Sequence, residues 1–154
     1  MGESRYDFAM RAIREAADML SFQSGTEIEF QTKRGHQDIV SQFDKKIETY
    51  LTDCINEKFP LDGVIGEETG MVSHGEWNWY VDPIDGTSNF VNQQKNYAIS
   101  IACYHLDAAE FGLVLDVAAN RLYHARAGAG ACCNGIPLPV DSRRREIPEL
   151  FLYT

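Results

Sequence analysis

Two amphipathic helical stretches stand ahead of an almost uninterrupted series of strand-like runs, and this order constrains the fold more than any other feature of the chain. From Tyr6 to about Ser21 the apolar positions Tyr6, Ala9, Ile13, Ala16 and Leu20 recur at helical spacing, with Ser4 and Asp7 as a capping pair at the start. A second helix is expected from about Ser41 or Asp44 to Phe59, with Ile47, Tyr50, Leu51, Cys54 and Ile55 on one face and Pro60 just beyond its end. Each helix has one apolar face, and each face needs a sheet to cover.

The remainder of the chain supplies one. Residues 28–33 alternate, Val64-Ile65-Gly66 is a short apolar run before two acids, and Trp77-Asn78-Trp79-Tyr80-Val81 has the aromatic and β-branched content of a strand. Further strands are expected at 97–104, 110–117 and 121–127, with Ala118-Ala119-Asn120 as the turn between the last two. Links this short imply antiparallel pairing. The expected class is therefore α+β, two helices packed on a mostly antiparallel sheet, rather than an alternating doubly wound fold.

At 154 residues and 44% hydrophobic content the chain can bury a sizeable core. Its formal charge of -9 argues against a nucleic-acid surface, because phosphate backbones are bound by Lys and Arg clusters. An acidic chain can still hold a phosphate if metal ions bring the positive charge. No run is long enough to span a membrane, and the N-terminus has no apolar stretch to act as a signal. Cys54, Cys103, Cys132 and Cys133 form no Cys-x-x-Cys pair and read as free thiols of a cytoplasmic protein. The basic run Arg143-Arg144-Arg145 reads as a solvated linker face. Two segments are expected: an α+β unit over 1–140, then a linker and strand over 141–154.

Three acidic clusters follow one another: Asp38 and Asp44, then Glu67-Glu68, then Asp82 and Asp85. The last two each follow an expected strand, where side chains of neighbouring strands can converge on one edge. Carboxylates about 4 Å apart repel by roughly 4 kcal/mol per pair at an effective dielectric near 20, so a cation or a proton must relieve them. Only oxygen ligands are on offer, and the dispersed His36, His74, His105 and His124 have no ligand spacing, so Mg²⁺ or Mn²⁺ is favoured over zinc. In Asp82-Pro83-Ile84-Asp85-Gly86-Thr87 the carboxylates precede a glycine that lets the backbone approach an anion, and Thr87-Ser88 can begin a helix whose free N–H groups face it. Six specified residues match by chance on the order of once in tens of millions of positions, which sets this run apart from a plain Asp-Gly turn.

On these residues the sequence resembles the inositol monophosphatase-like, lithium-sensitive, metal-dependent phosphatases. Their signature stands here as Asp44, Gly66-Glu67-Glu68 and Asp82 to Thr87. Lys33 with Asp38-Ile39-Val40-Ser41 is similar to the family's Lys, Asp-x-Val-Thr stretch, with Ser41 in place of Thr. Gly128-Ala129-Gly130-Ala131 and Asn134-Gly135 are similar to its later Gly-x-Gly-Ala and Asn-Gly turn.

The resemblance implies that one metal is held by Glu67, Asp82 and the Ile84 carbonyl, and a second by Asp82 and Asp85. It implies that Thr87, hydrogen-bonded to Asp44, positions the attacking water with Glu67. Backbone N–H groups of Gly86 and Thr87 would bind the phosphate, with Lys33, Asp38, Glu68 and Ser88 in support. The family's Trp-Asp motif, whose Asp completes the second metal site, does not occur after Asp85. The chain is therefore expected to be the N-terminal half of a five-layered αβαβα fold, lacking the half that carries most substrate contacts.

The Asp-Gly-Thr-Ser-Asn-Phe form favours inositol monophosphate over fructose 1,6-bisphosphate, 3′-phosphoadenosine 5′-phosphate or histidinol phosphate, which relatives with the same motif hydrolyse. A homodimer is the expected assembly. A regulatory role in transcription complexes, known for some bacterial relatives, is the alternative in a different class; the complete set Asp44, Glu67, Asp82 and Asp85 argues against it.

Overall fold

The computed structural model describes residues 2–21, 30–32, 39–71 and 74–139. Helix α1 (Arg5–Ser21) opens as expected: Ser4 Oγ accepts the Asp7 N–H at 3.1 Å and donates to the Asp7 carboxylate at 2.6 Å. Its buried stripe is Phe8, Ala9, Ala12, Ile13, Ala16, Ala17 and Leu20, the i, i+1, i+4, i+5 pattern of a helix lying on a sheet. Strands β1 (Phe30–Thr32) and β2 (Ile39–Ser41) form an antiparallel pair that leads directly into α2 (Gln42–Lys58). Lys33, Asp38, the basic run and the 141–154 tail lie outside the described residues.

The main sheet contains β3 (Gly63–Gly66), β4 (Gly70–Met71), β5 (Trp77–Asp85), β6 (Ala98–His105), β7 (Ala108–Asp116), β8 (Arg121–Arg126), β9 (Gly130–Cys133) and β10 (Ile136–Pro137). Among the described residues its order is β10-β9-β8-β7-β6-β5-β3-β4, antiparallel throughout except for the parallel pair β3 and β5. α1 and α2 pack together on one face, and the core between them and the sheet includes Ile13, Ile47, Leu51, Trp79, Ile99, Ile101 and Leu113. The four cysteines stand as free thiols, with Cys103 in this core.

One expectation is corrected in detail. β5 does not stop at Val81 but continues to Asp85, and the motif is part of the strand. Against β6, Asp82 faces Ser100 and Asp85 faces Ala98, so β5 carries one extra residue as a bulge. Pro83 lies in it, where a residue without an N–H costs the ladder least. A third helix, α3 (Thr87–Gln93), begins at Thr87, where the sequence offers a helix start. The Asn134-Gly135 turn is as read, with φ of 48° and 80°, and it joins the short strands β9 and β10.

One buried charge cluster locks α1 to the sheet. Asp62, 4% exposed, accepts Arg5 Nε at 2.7 Å, a second Arg5 nitrogen at 2.8 Å and Trp79 Nε1 at 2.8 Å. The guanidinium also lies over the Trp77 ring at 4.2 Å. Asp62→Ala would strand an indole N–H and an arginine, so a loss of about 3 kcal/mol or more is expected. Urea denaturation at pH 7 checks this, and an unchanged midpoint would show that the cluster contributes nothing net.

Candidate active site

The parallel register of β3 and β5 brings two of the acidic clusters together. Gly66 pairs with Val81, and the Glu67 N–H donates to the Val81 carbonyl at 3.3 Å, so Glu67 leaves β3 beside Asp82 on β5. The Glu67 carboxylate is accordingly among the neighbours that raise the Asp82 pKa. Within the bulge Ile84 is buried in the core at 1% exposure, and the strand's alternation then turns Asp85 outward to solvent.

Gly86 follows in the left-handed region, φ 84° and ψ 37°, and a Cβ there would sit 3.0 Å from the Asn96 carbonyl oxygen. Both constraints call for glycine. α3 begins at the next residue, and the first N–H groups of a helix have no acceptor within it.

Asp44 reaches the same place from the opposite side, in the first turn of α2 and 3% exposed. The Thr87 hydroxyl lies 3.1 Å from Asp44 Oδ1 and 2.8 Å from the Ile84 carbonyl oxygen, and donates its single proton to these two acceptors. The oxygen's lone pairs then remain to accept. Ser88 is exposed and engaged through its carbonyl with the Asn92 amide, while the Glu68 N–H points away from the cluster toward α2.

Asp82 is the electrostatic centre of the arrangement. Burial foremost, then the neighbouring Glu67, Asp85 and Asp44 carboxylates, push its pKa up to about 7. Its Oδ1 is buried without a hydrogen-bond partner. A buried, unpartnered oxygen within an all-oxygen donor set fits a hard divalent cation. Among the described residues, no three acidic, His or Cys side chains close into a single metal cradle. Beside Asp85 and Gly86 opens a cleft of about 280 Å³, lined further by Asn89, Asn96, Tyr97 and Asp116.

A family model described as the inositol monophosphatase family matches residues 1–154. The chain belongs to that family. It is 39% identical, over 83% of its length, to inositol-1-monophosphatase of Bacillus subtilis. To inositol monophosphatase 1 of Mus musculus it is 36% identical over 96% of its length. The solved IMPase of Thermotoga maritima superposes with a TM-score of 0.82 at 32% identity, covering 90% of this chain and 54% of that one. The chain spans about half the length of these relatives, 49% of the Bacillus protein and 55% of the mouse protein.

Sequence reading missed Glu48. It is fully buried in α2, one helical turn after Asp44, and its carboxylate accepts the Glu68 and Thr69 N–H groups, each at 2.8 Å. The available signal was a charge on an otherwise apolar stripe with Phe43, Ile47, Leu51 and Ile55.

Proposed function

We propose that the protein hydrolyses phosphate monoesters in a Mg²⁺-dependent reaction, with inositol monophosphate as the favoured substrate and Mn²⁺ an alternative metal. The observation that carries this is the buried, unpartnered Asp82 oxygen beside Glu67, Asp85 and Asp44, because such a charge concentration needs a cation. Glu67, Asp82 and the Ile84 carbonyl would hold one ion, and Asp82 with Asp85 would contribute to a second. When bound, the metal supplies charge neutralisation of the phosphate oxygens and a lowered pKa for water.

The chain's own groups do the rest. Thr87 spends its proton on Asp44 and the Ile84 carbonyl, so its oxygen accepts from a water and orients the water's lone pair toward phosphorus. Buried Asp44 keeps the hydroxyl in that rotamer. The N–H groups of Gly86 and Thr87 meet the phosphate at the start of α3. The cleft lined by Asn89, Asn96 and Asp116 offers amides and a carboxylate to a polyhydroxylated leaving group. A small phosphorylated polyol or sugar is thus the inferred partner, the cytoplasm the inferred compartment and a homodimer the inferred assembly. No helix among the described residues is long and apolar enough to cross a membrane.

The test is phosphate release by the full gene product. With Mg²⁺ it should release phosphate from inositol 1-phosphate, faster than from fructose 1,6-bisphosphate, 3′-phosphoadenosine 5′-phosphate or histidinol phosphate. Chelation should abolish the activity and Li⁺ should inhibit it. Activity that survives chelation, or none on any phosphomonoester, would sink the reading.

A further inference from the structure

We propose that Glu48 is a positioning residue: its buried carboxylate holds the Glu67-Glu68-Thr69 turn and thereby sets where the Glu67 carboxylate stands beside Asp82. The proposal rests on the phosphatase reading only in taking Glu67 and Asp82 as the metal-holding pair.

Glu48 is 0% exposed, and each of its oxygens takes one of two successive N–H groups, Glu68 on Oε2 and Thr69 on Oε1, both at 2.8 Å. Charge-assisted bonds of this length are strong, and together they offset the cost of burying the charge. The chain makes room for this contact. A Cβ on Gly66 would lie 2.4 Å from the Glu48 carboxyl carbon, so only glycine at the end of β3 lets the carboxylate come so near the turn. The β3–β4 hairpin closes the turn at the Gly66–Gly70 pair, but toward β5 and Asp82 the last rung, Glu67 N–H to Val81 carbonyl, is 3.3 Å long.

Helix α2 supplies the rigidity. Ile47 and Leu51 beside Glu48 are fully buried, which fixes the helix on the sheet. Asp44 and Glu48 lie one helical turn apart on α2. Through Asp44 the helix engages Thr87 and through Glu48 it engages the Glu67 turn. A single rigid element therefore registers the β3 end against the β5–α3 segment, across the position of Asp82. Small errors in such registration are costly, because groups that orient metal ligands typically contribute 10- to 100-fold in affinity.

The experiment measures Mn²⁺ binding, by titration with electron paramagnetic resonance detection, alongside kcat and KM for phosphate release. Glu48→Gln keeps the shape but sets an amide N–H against a backbone N–H. Gly66→Ala leaves Glu48 intact but pushes its carboxylate away from the turn. Each should weaken Mn²⁺ binding about tenfold or more and lower kcat, with KM changed less than about twofold. Amide hydrogen exchange at Glu68 and Thr69 should accelerate in both.

Leu122→Ala, which removes core packing on β8 and leaves α2 and the Glu67 turn untouched, should lower the unfolding midpoint while leaving the Mn²⁺ affinity of the folded protein unchanged. Wild-type Mn²⁺ affinity in Glu48→Gln, or an equal loss in Leu122→Ala, would reduce Glu48 to ordinary stability and overturn the proposal. If the wild type releases no phosphate yet binds Mn²⁺, the functional reading fails while the binding and exchange measurements still decide the role of Glu48. A wild type that does not bind Mn²⁺ overturns both.

Discussion

Asp82→Asn should cost the protein on the order of a thousandfold in Mg²⁺-dependent phosphatase activity while making the metal-free fold more stable. Both effects come from one carboxylate. Asp82 stands with Oδ1 buried and unpartnered, and burial together with Glu67, Asp85 and Asp44 raises its pKa to about 7. Asparagine has the same shape, carries no charge and can donate to the Glu67 carboxylate, so it relieves the repulsion without opening a cavity. At pH 8 the relief amounts to roughly 4 kcal/mol at most, taking about 1.4 kcal/mol for each pKa unit. The same substitution removes the one residue placed to contribute to both proposed metal sites. Urea denaturation in chelator at pH 8 and phosphate release in Mg²⁺ measure the two effects. A variant less stable than wild type, or one keeping more than about a tenth of its activity, would contradict the assignment.

The linear order of the motif was readable because each piece is local. Helical spacing gives α1 and α2, and the rare co-occurrence of two acids, a proline, a glycine and a threonine between Asp82 and Thr87 marks the segment proposed to meet the phosphate. What brings Glu67 to Asp82 is the parallel pairing of β3 with β5, and no local periodicity encodes it. β4 and the residues up to Trp77 intervene, and their composition does not distinguish parallel from antiparallel return. The end of β5 lies beyond the point that composition marks, for a related reason. Asp82 and Pro83 are poor strand residues by composition, and only the bulge against β6 allows the strand to continue through them.

β9 and β10 illustrate a length limit. Four and two residues are too few to show alternation, although the Asn134-Gly135 turn between them was plain from sequence. Glu48 reflects a different limit. Its charge sits on the buried stripe of α2, where composition alone would place an apolar residue, and its partners are backbone N–H groups about twenty positions away. Sequence could flag the anomaly but not the acceptor role that resolves it.

The stability of the metal-free protein should fall as pH rises from 4 to 8, and Mg²⁺ should reverse the fall. The sign follows from Asp82, whose pKa in the folded protein is about 7, well above the ordinary carboxylate value of 3.8. A group raised in this way binds its proton more tightly in the folded state, so its contribution is fully present below pH about 4 and is lost as pH climbs through 7. The difference between wild type and Asp82→Asn isolates the contribution of this carboxylate: the two stability curves should converge near pH 4 and separate steadily up to about pH 7. A divalent cation competes with the proton for the ionised form, so apparent Mg²⁺ affinity should rise nearly tenfold per pH unit below about 7 and level off above it. Calorimetric titration of Mg²⁺ at pH 5.5, 6.5 and 7.5, with denaturation curves in chelator at the same values, measures both. Mg²⁺ affinity that is flat across this range would mean that Asp82 is ionised throughout, and that the charge it concentrates among Glu67, Asp85 and Asp44 is neutralised by something other than a proton or this metal.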